Sequence, residues 1–138
     1  MATRATYQFH RKNGDRPNTQ YTVYNHWDGY PEGAKSHFEA ALKVGDRLTV
    51  ESFLRGNDQA RLTEGHEIHG DTEWKYDIWE GRETIIEVSG RLGSWDSPEW
   101  EIMFRDSIEE FFKVLEIPQG AYFMDVEERL KSFKAAEA

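Results

Sequence analysis

Short runs in which apolar and polar residues alternate recur along this chain, and they constrain its fold more than any other feature. In Thr6 to His10, Tyr7 and Phe9 alternate with polar neighbours, and Tyr21-Thr22-Val23-Tyr24 repeats the pattern after the turn-rich Asn13-Gly14-Asp15-Arg16-Pro17-Asn18. A period of two is that of a strand with one buried face, so the two runs read as a β-hairpin with a long connection. Trp74, Tyr76 and Ile78 alternate with Lys75, Asp77 and Trp79, and Glu80-Gly81-Arg82 turns the chain into Thr84-Ile85-Ile86-Glu87-Val88, a second hairpin. After a loop from Gly90 to Pro98, Trp100, Ile102 and Phe104 add a third strand to the same meander.

Elsewhere the period becomes helical. Pro31-Glu32-Gly33 opens a helix over 32–43, with Ala34, Phe38, Ala41 and Leu42 at helical spacing. Leu48 to Arg55 predicts a short second helix ending at Gly56-Asn57, where glycine suits the left-handed C-terminal position. Asp106 or Ser107 can cap a third, with Glu109-Glu110 at its positive end and Ile108, Phe111, Phe112 and Leu115 as its stripe. Pro118-Gln119-Gly120 breaks it, and a last helix from about Met124 to Ala135 turns Val126, Leu130 and Phe133 inward. Residues 57–72 have no period and read as a loop. Five strands and about four helices, with the strands mostly in hairpins, predict one α+β domain over residues 1–138, an antiparallel sheet with helices packed on one face. Strand order is not readable.

A chain of 138 residues can bury a real core. Without cysteine there is no disulfide framework, thiolate zinc site or cysteine nucleophile, and packing alone must hold the fold. Mean hydropathy is -0.81, no apolar run approaches the ~18 residues of a membrane span, and Met1 to His10 has no apolar signal core. A cytoplasmic protein with no membrane partner is expected. The net charge of -9 is unevenly spread: residues 1–61 carry nine basic and seven acidic residues, and residues 62–138 eight basic and nineteen acidic. Such a field disfavours direct nucleic-acid binding and favours a basic protein surface.

The richest segment chemically is Tyr24-Asn25-His26-Trp27-Asp28-Gly29-Tyr30-Pro31-Glu32-Gly33, between a strand and a helix N-terminus. His26 and Asp28 offer donor, acceptor and proton-transfer chemistry, Trp27 and Tyr30 offer stacking faces, and helix-entry amides accept anions. The structural alternative has Asp28 accepting the orphan amides, Gly29 at positive φ, and Trp27 and Tyr30 filling core. If Thr3-Arg4 leads the first strand, Arg4 reaches the same sheet end as Asp28. The pair then forms either a salt bridge or part of a pocket of Thr3, Arg4, His26, Trp27, Asp28 and Tyr30 for a nucleotide or other phosphate-bearing signal.

The opening Met1-Ala2-Thr3-Arg4-Ala5-Thr6 with the later Tyr24-Asn25-His26-Trp27-Asp28-Gly29-Tyr30-Pro31 resembles a group of small, uncharacterised phage and plasmid proteins that start like MATRSTI and carry YxHWDGYP. The likeness covers about residues 1–55. Ala5 stands where that pattern has Ser, and Tyr7-Gln8 where it is apolar. The resemblance implies a mobile-element origin and, for a small acidic protein, interference with a host defence system from the host cytoplasm. It identifies no reaction.

His66-Glu67-Ile68-His69 with Asp71 lacks the HExxH spacing and is flanked by Gly65 and Gly70, so it reads as solvated loop histidines rather than a metal site. Glu99/Glu101 and Glu109/Glu110 have structural explanations, and no GxSxG or phosphate-cradling glycine loop occurs. No catalytic residue, metal or cofactor is assigned, and an enzyme is the less favoured reading. Trp79 and Trp95, ringed by Glu80, Glu83, Asp96 and Glu99, make a candidate docking surface. The leading expectation is an acidic, non-enzymatic inhibitor of a host defence system, of anti-CRISPR or anti-restriction type, that docks on a basic nucleic-acid-binding protein. A small-ligand binder or enzyme built on the junction is the alternative, and a homodimer is left open.

Overall fold

A computed structural model describes residues 3–66, 72–92 and 99–116. The α+β class holds, but the sheet is mixed and six-stranded: β1 (Ala5–Asn13), β2 (Arg16–Asn25), β3 (Arg61–Thr63), β4 (Trp74–Trp79), β5 (Ile85–Leu92) and β6 (Glu99–Ser107), in the order β3-β2-β1-β4-β5-β6. Three helices are described, α1 (Pro31–Val44), α2 (Val50–Gly56) and α3 (Ile108–Leu115); the helix expected from Met124 to Ala135 lies outside the described residues.

The all-antiparallel expectation fails at the centre. β1 pairs β2 antiparallel and β4 parallel, with Tyr7 opposite both Val23 and Tyr76. The chain leaves β2 through two helices and the edge strand β3, then crosses back to the open side of β1, and a crossover of that length delivers a strand in the parallel sense. β3 was hidden because Arg61-Leu62-Thr63 is too short to show a period. The first hairpin is tighter than its composition implied: Asn13 pairs with Arg16 across a two-residue turn in which Gly14 takes φ +63°. β5 likewise runs on to Leu92, through residues read as loop.

Register places Val23, Tyr7, Tyr76, Val88 and Phe104 in one row across five strands. The helices cover the face bearing this row. Tyr7 meets Phe38 of α1 and Phe53 of α2, and Phe104 meets Phe111 of α3, with ring centroids 5.9, 4.7 and 5.7 Å apart. A register shift beside Val88 lets β6 bury both Met103 and Phe104 on that side. Gly90 makes room, since a Cβ there would stand 2.7 Å from the Met103 sulfur.

Caps follow the local chemistry. Thr49 and Ser52 form a reciprocal capping box on α2, and Ser107, not Asp106, caps α3 through the Glu110 amide. Gly56 does not take the left-handed conformation expected of it. It serves close approach instead: a Cβ would lie 2.7 Å from the Ala40 carbonyl oxygen of α1.

Two stacked tyrosines at the core, Tyr7 and Tyr76, end differently. The Tyr76 hydroxyl donates to the Gly29 carbonyl at 2.7 Å, whereas the buried Tyr7 hydroxyl has no hydrogen-bond partner among the described residues. Burial pushes both phenols above their ordinary pKa, so both remain protonated donors. Leaving a buried polar group unpaired costs about 1–3 kcal/mol. Tyr7→Phe is therefore expected to be neutral or to stabilise by about 1 kcal/mol, and Tyr76→Phe to destabilise by about 1–2 kcal/mol, as read from urea midpoints.

Candidate functional site

The junction after β2 is fastened to the sheet through its backbone. The Gly29 amide donates to the Thr3 carbonyl at 2.8 Å, its carbonyl accepts from Tyr76, and the Trp27 amide donates to the buried Asn25 side chain at 3.0 Å. Asp28 carries the positive φ, +52°, that sequence reasoning gave to Gly29. Gly29 is needed for proximity instead, because a Cβ would stand 2.7 Å from the Ala5 Cβ and 2.8 Å from the Thr3 carbonyl oxygen. A Cβ on Gly33 would overlap the Asp28 carbonyl group. Nor is Asp28 the cap of the helix: Tyr30 is the N-cap residue, and it makes no side-chain cap hydrogen bond.

With its backbone held, the loop presents its side chains outward. Trp27 is 50% and Tyr30 38% exposed, so neither fills core as the structural alternative had it. Asp28 is exposed beside them, with the Tyr30 hydroxyl 3.5 Å from its Oδ1. Partial burial first, and then the Asp28 and Glu32 charges, push the Tyr30 phenol up, so it stays a neutral donor. His26 lies edge-on to Trp27 at 4.8 Å. Arg4 donates from Nε to His26 Nδ1 at 3.2 Å, with the Tyr24 hydroxyl the same distance from that nitrogen. Below the loop His37 Nε2 approaches the Trp27 carbonyl at 3.3 Å, and Nδ1 meets Asn57 at 2.9 Å. Thr3, Arg4, His26, Trp27, Asp28 and Tyr30 are thus brought to one end of the sheet.

Of the residues expected to dock a partner, four lie among the described residues, Trp79, Glu80 and Glu83 around the β4–β5 turn and Glu99 at the start of β6. Glu80 is a structural group, its side chain only 7% exposed, bonded to Arg11 at 2.5 Å and to the Val50 amide at 2.9 Å. Trp79 stacks on His10 at 4.7 Å and lies under the Arg105 guanidinium at 4.9 Å. Glu83 is exposed near one end of β5, while Glu99 is exposed beside Leu92 at the other. Trp95 and Asp96 lie outside the described residues. Several other acids are paired: Glu87 with Arg105, Glu110 with Lys113 and Glu116 with Lys35.

Sequence reasoning missed a second cluster on the sheet face opposite the helices. His10, on β1, and His66, read as a solvated loop histidine, both contact Asp77 Oδ1 through Nε2, at 2.9 and 3.3 Å. A carboxylate only accepts, so each ring donates its Nε2 proton. This leaves His66 Nδ1 to accept from the buried Thr6 hydroxyl at 2.6 Å and His10 Nδ1 to accept from Gln20 at 3.3 Å. The alternation placing Asp77 and His10 on the polar face was visible; their pairing required the parallel β1–β4 register, in which Gln8 faces Asp77. His69 and Asp71 lie outside the described residues, and no metal-holding group of three ligands occurs among the described ones.

No family model, curated protein or solved structure matches the chain.

Two outcomes follow from this geometry. Gly33→Ala is expected to cost about 1–3 kcal/mol, measured by urea unfolding, because the helix and the Asp28 carbonyl cannot both stay in place. For Asp77, burial raises the carboxyl but the hydrogen bonds from His66 and His10 more than offset it, leaving it below the ordinary range. A depressed carboxylate contributes stability above its unfolded value, near pH 4, and loses it as pH falls through the lower folded value. Asp77→Asn is expected to cost about 1–3 kcal/mol at neutral pH, with the difference from wild type shrinking below about pH 4.

Proposed function

We propose that this chain is a non-enzymatic binding protein of mobile-element type that blocks a host defence system by docking on a basic, nucleic-acid-binding protein. The observation carrying this reading is the half-exposed Trp27, with Tyr30 and Asp28, on a loop whose backbone is tied to the sheet. Exposed large aromatics cost solvation unless they are covered, and a fixed loop loses little conformational entropy on binding. Asp28 adjoins these aromatics and suits a basic partner, as does the net charge of -9. The resemblance of residues 1–55 to phage and plasmid proteins adds the defence-inhibiting context. The docking surface in this reading is the junction rather than the Trp79 to Glu99 region, in which Glu80 is already held by Arg11 and the Val50 amide.

A second reading, binding of a nucleotide or other phosphate-bearing signal, is favoured by the convergence of Arg4 and His26 beside Trp27. No helix among the described residues is long and apolar enough to cross a membrane.

Immobilised protein is expected to retain a basic nucleic-acid-binding protein from host lysate, with retention weakened by salt. Trp27→Ala should abolish retention and Asp28→Asn reduce it, both without loss of fold, since asparagine tolerates positive φ. Equal retention by all three proteins would overturn the docking surface. Thermal stabilisation by a nucleotide that is lost in Arg4→Ala and Asp28→Ala would favour the second reading.

A further inference from the structure

At the other end of the sheet, beside the first hairpin, a cleft of about 390 Å³ is lined by His10, Arg11, Lys12, Asn18, Gln20, Trp79 and Glu80. Three of these are already committed. Arg11 is bound to Glu51 and Glu80 at 2.5 Å each, and Trp79 stacks on His10. Glu80 is neutralised by Arg11 and the Val50 amide. What remains is a set of exposed donors. Lys12 and Asn18 have no partner among the described residues, and Gln20 makes one exposed bond to His10 Nδ1 at 3.3 Å.

His10 differs from an ordinary surface histidine. Asp77, behind it, accepts its Nε2 proton at 2.9 Å, and Trp79 fixes its plane. The Nδ1 edge therefore faces the cleft, where the exposed Gln20 amide bonds it at 3.3 Å and is free to turn to an incoming anion instead. An ammonium, two neutral amide donors and a carboxylate-backed imidazole nitrogen together suit an anion that itself carries a transferable proton. The charged groups around His10 are Asp77 behind it, the Arg11–Glu80 pair beside it, Lys12 on the cleft wall, and His66 beyond Asp77. The cleft belongs to residues 1–61, the portion with more basic than acidic groups, apart from Trp79 and Glu80.

We propose that this cleft binds a phosphomonoester-type anion, with Lys12 supplying charge, Asn18 and Gln20 hydrogen bonds, and His10 Nδ1 sharing the phosphate proton. Ordinary phosphomonoesters carry that proton near pH 6, and no bond is made or broken. The site is separate from the Trp27 junction and stands whether or not that surface docks a partner.

The test follows the His10 imidazole nitrogens by NMR while inorganic phosphate, and in parallel sulfate at matched ionic strength, is added to the full chain at pH 6. Saturable movement of the His10 Nδ1 signal with phosphate and not with sulfate, which carries no proton at that pH, is expected. Lys12→Ala, an exposed change that leaves the fold intact, should weaken phosphate binding about tenfold, the worth of one charge-assisted contact. No movement with phosphate, an equal response to sulfate, or unchanged binding by Lys12→Ala would each overturn the proposal. Repeating the titration with adenosine 5′-monophosphate separates sources: tighter binding than phosphate makes the site one for an organic monoester, and equal or weaker binding overturns the ester assignment.

Discussion

The fold and its candidate recognition loop meet at one small tie, the Gly29 peptide held between Thr3 and Tyr76. Its amide bonds to Thr3, two residues before β1, and its carbonyl to Tyr76 of β4, at 2.8 and 2.7 Å. Both bonds need the loop backbone within reach of Ala5, where only a residue without Cβ fits. Because the peptide is satisfied in both directions, the flanking side chains are free of structural duty and turn to solvent. The aromatic surface at Trp27 and Tyr30 is a consequence of buried backbone bonding.

β1 makes that arrangement hold. It is paired on both sides, antiparallel to β2 and parallel to β4, and its inward residues Ala5, Tyr7 and Phe9 are fully buried. Tyr7 stacks on Tyr76 and touches rings from α1 and α2, so the strand joins sheet and helices by aromatic packing. Its outward residues work just as hard. Thr6 and His10 feed the Asp77 array, which joins β1, β4 and the segment after β3 by hydrogen bonds on the face away from the helices.

Much of this was legible in the sequence. Alternation located β1, β2, β4, β5 and β6, and helical spacing located α1 and α3, because each buries one face and its period reports that. The parallel pairing of β1 and β4 was not legible, since a period of two says which face is buried but not which strand lies alongside. The short β3 and the burial of His66 were missed for the same reason: both are created by a neighbour distant in sequence. At the junction the residue types were read correctly and their roles partly exchanged. Asp28 took the positive φ and Gly29 the close approach, because the contact with Ala5 exists only once the strands have assembled. Glu80 misled in the opposite direction; in sequence it is one more acid in an acidic half, and in the fold it joins Arg11 to the start of α2.

The central claim is that a rigid backbone presents a solvent-facing indole. Amide hydrogen exchange, combined with acrylamide quenching of single-tryptophan proteins, reads both halves of it at once. The account requires the Gly29 amide to be protected as strongly as the amides of β1, while the Trp27 indole is quenched as readily as a surface tryptophan. A rapidly exchanging Gly29 amide, or a Trp27 shielded from quencher in the isolated protein, would contradict it.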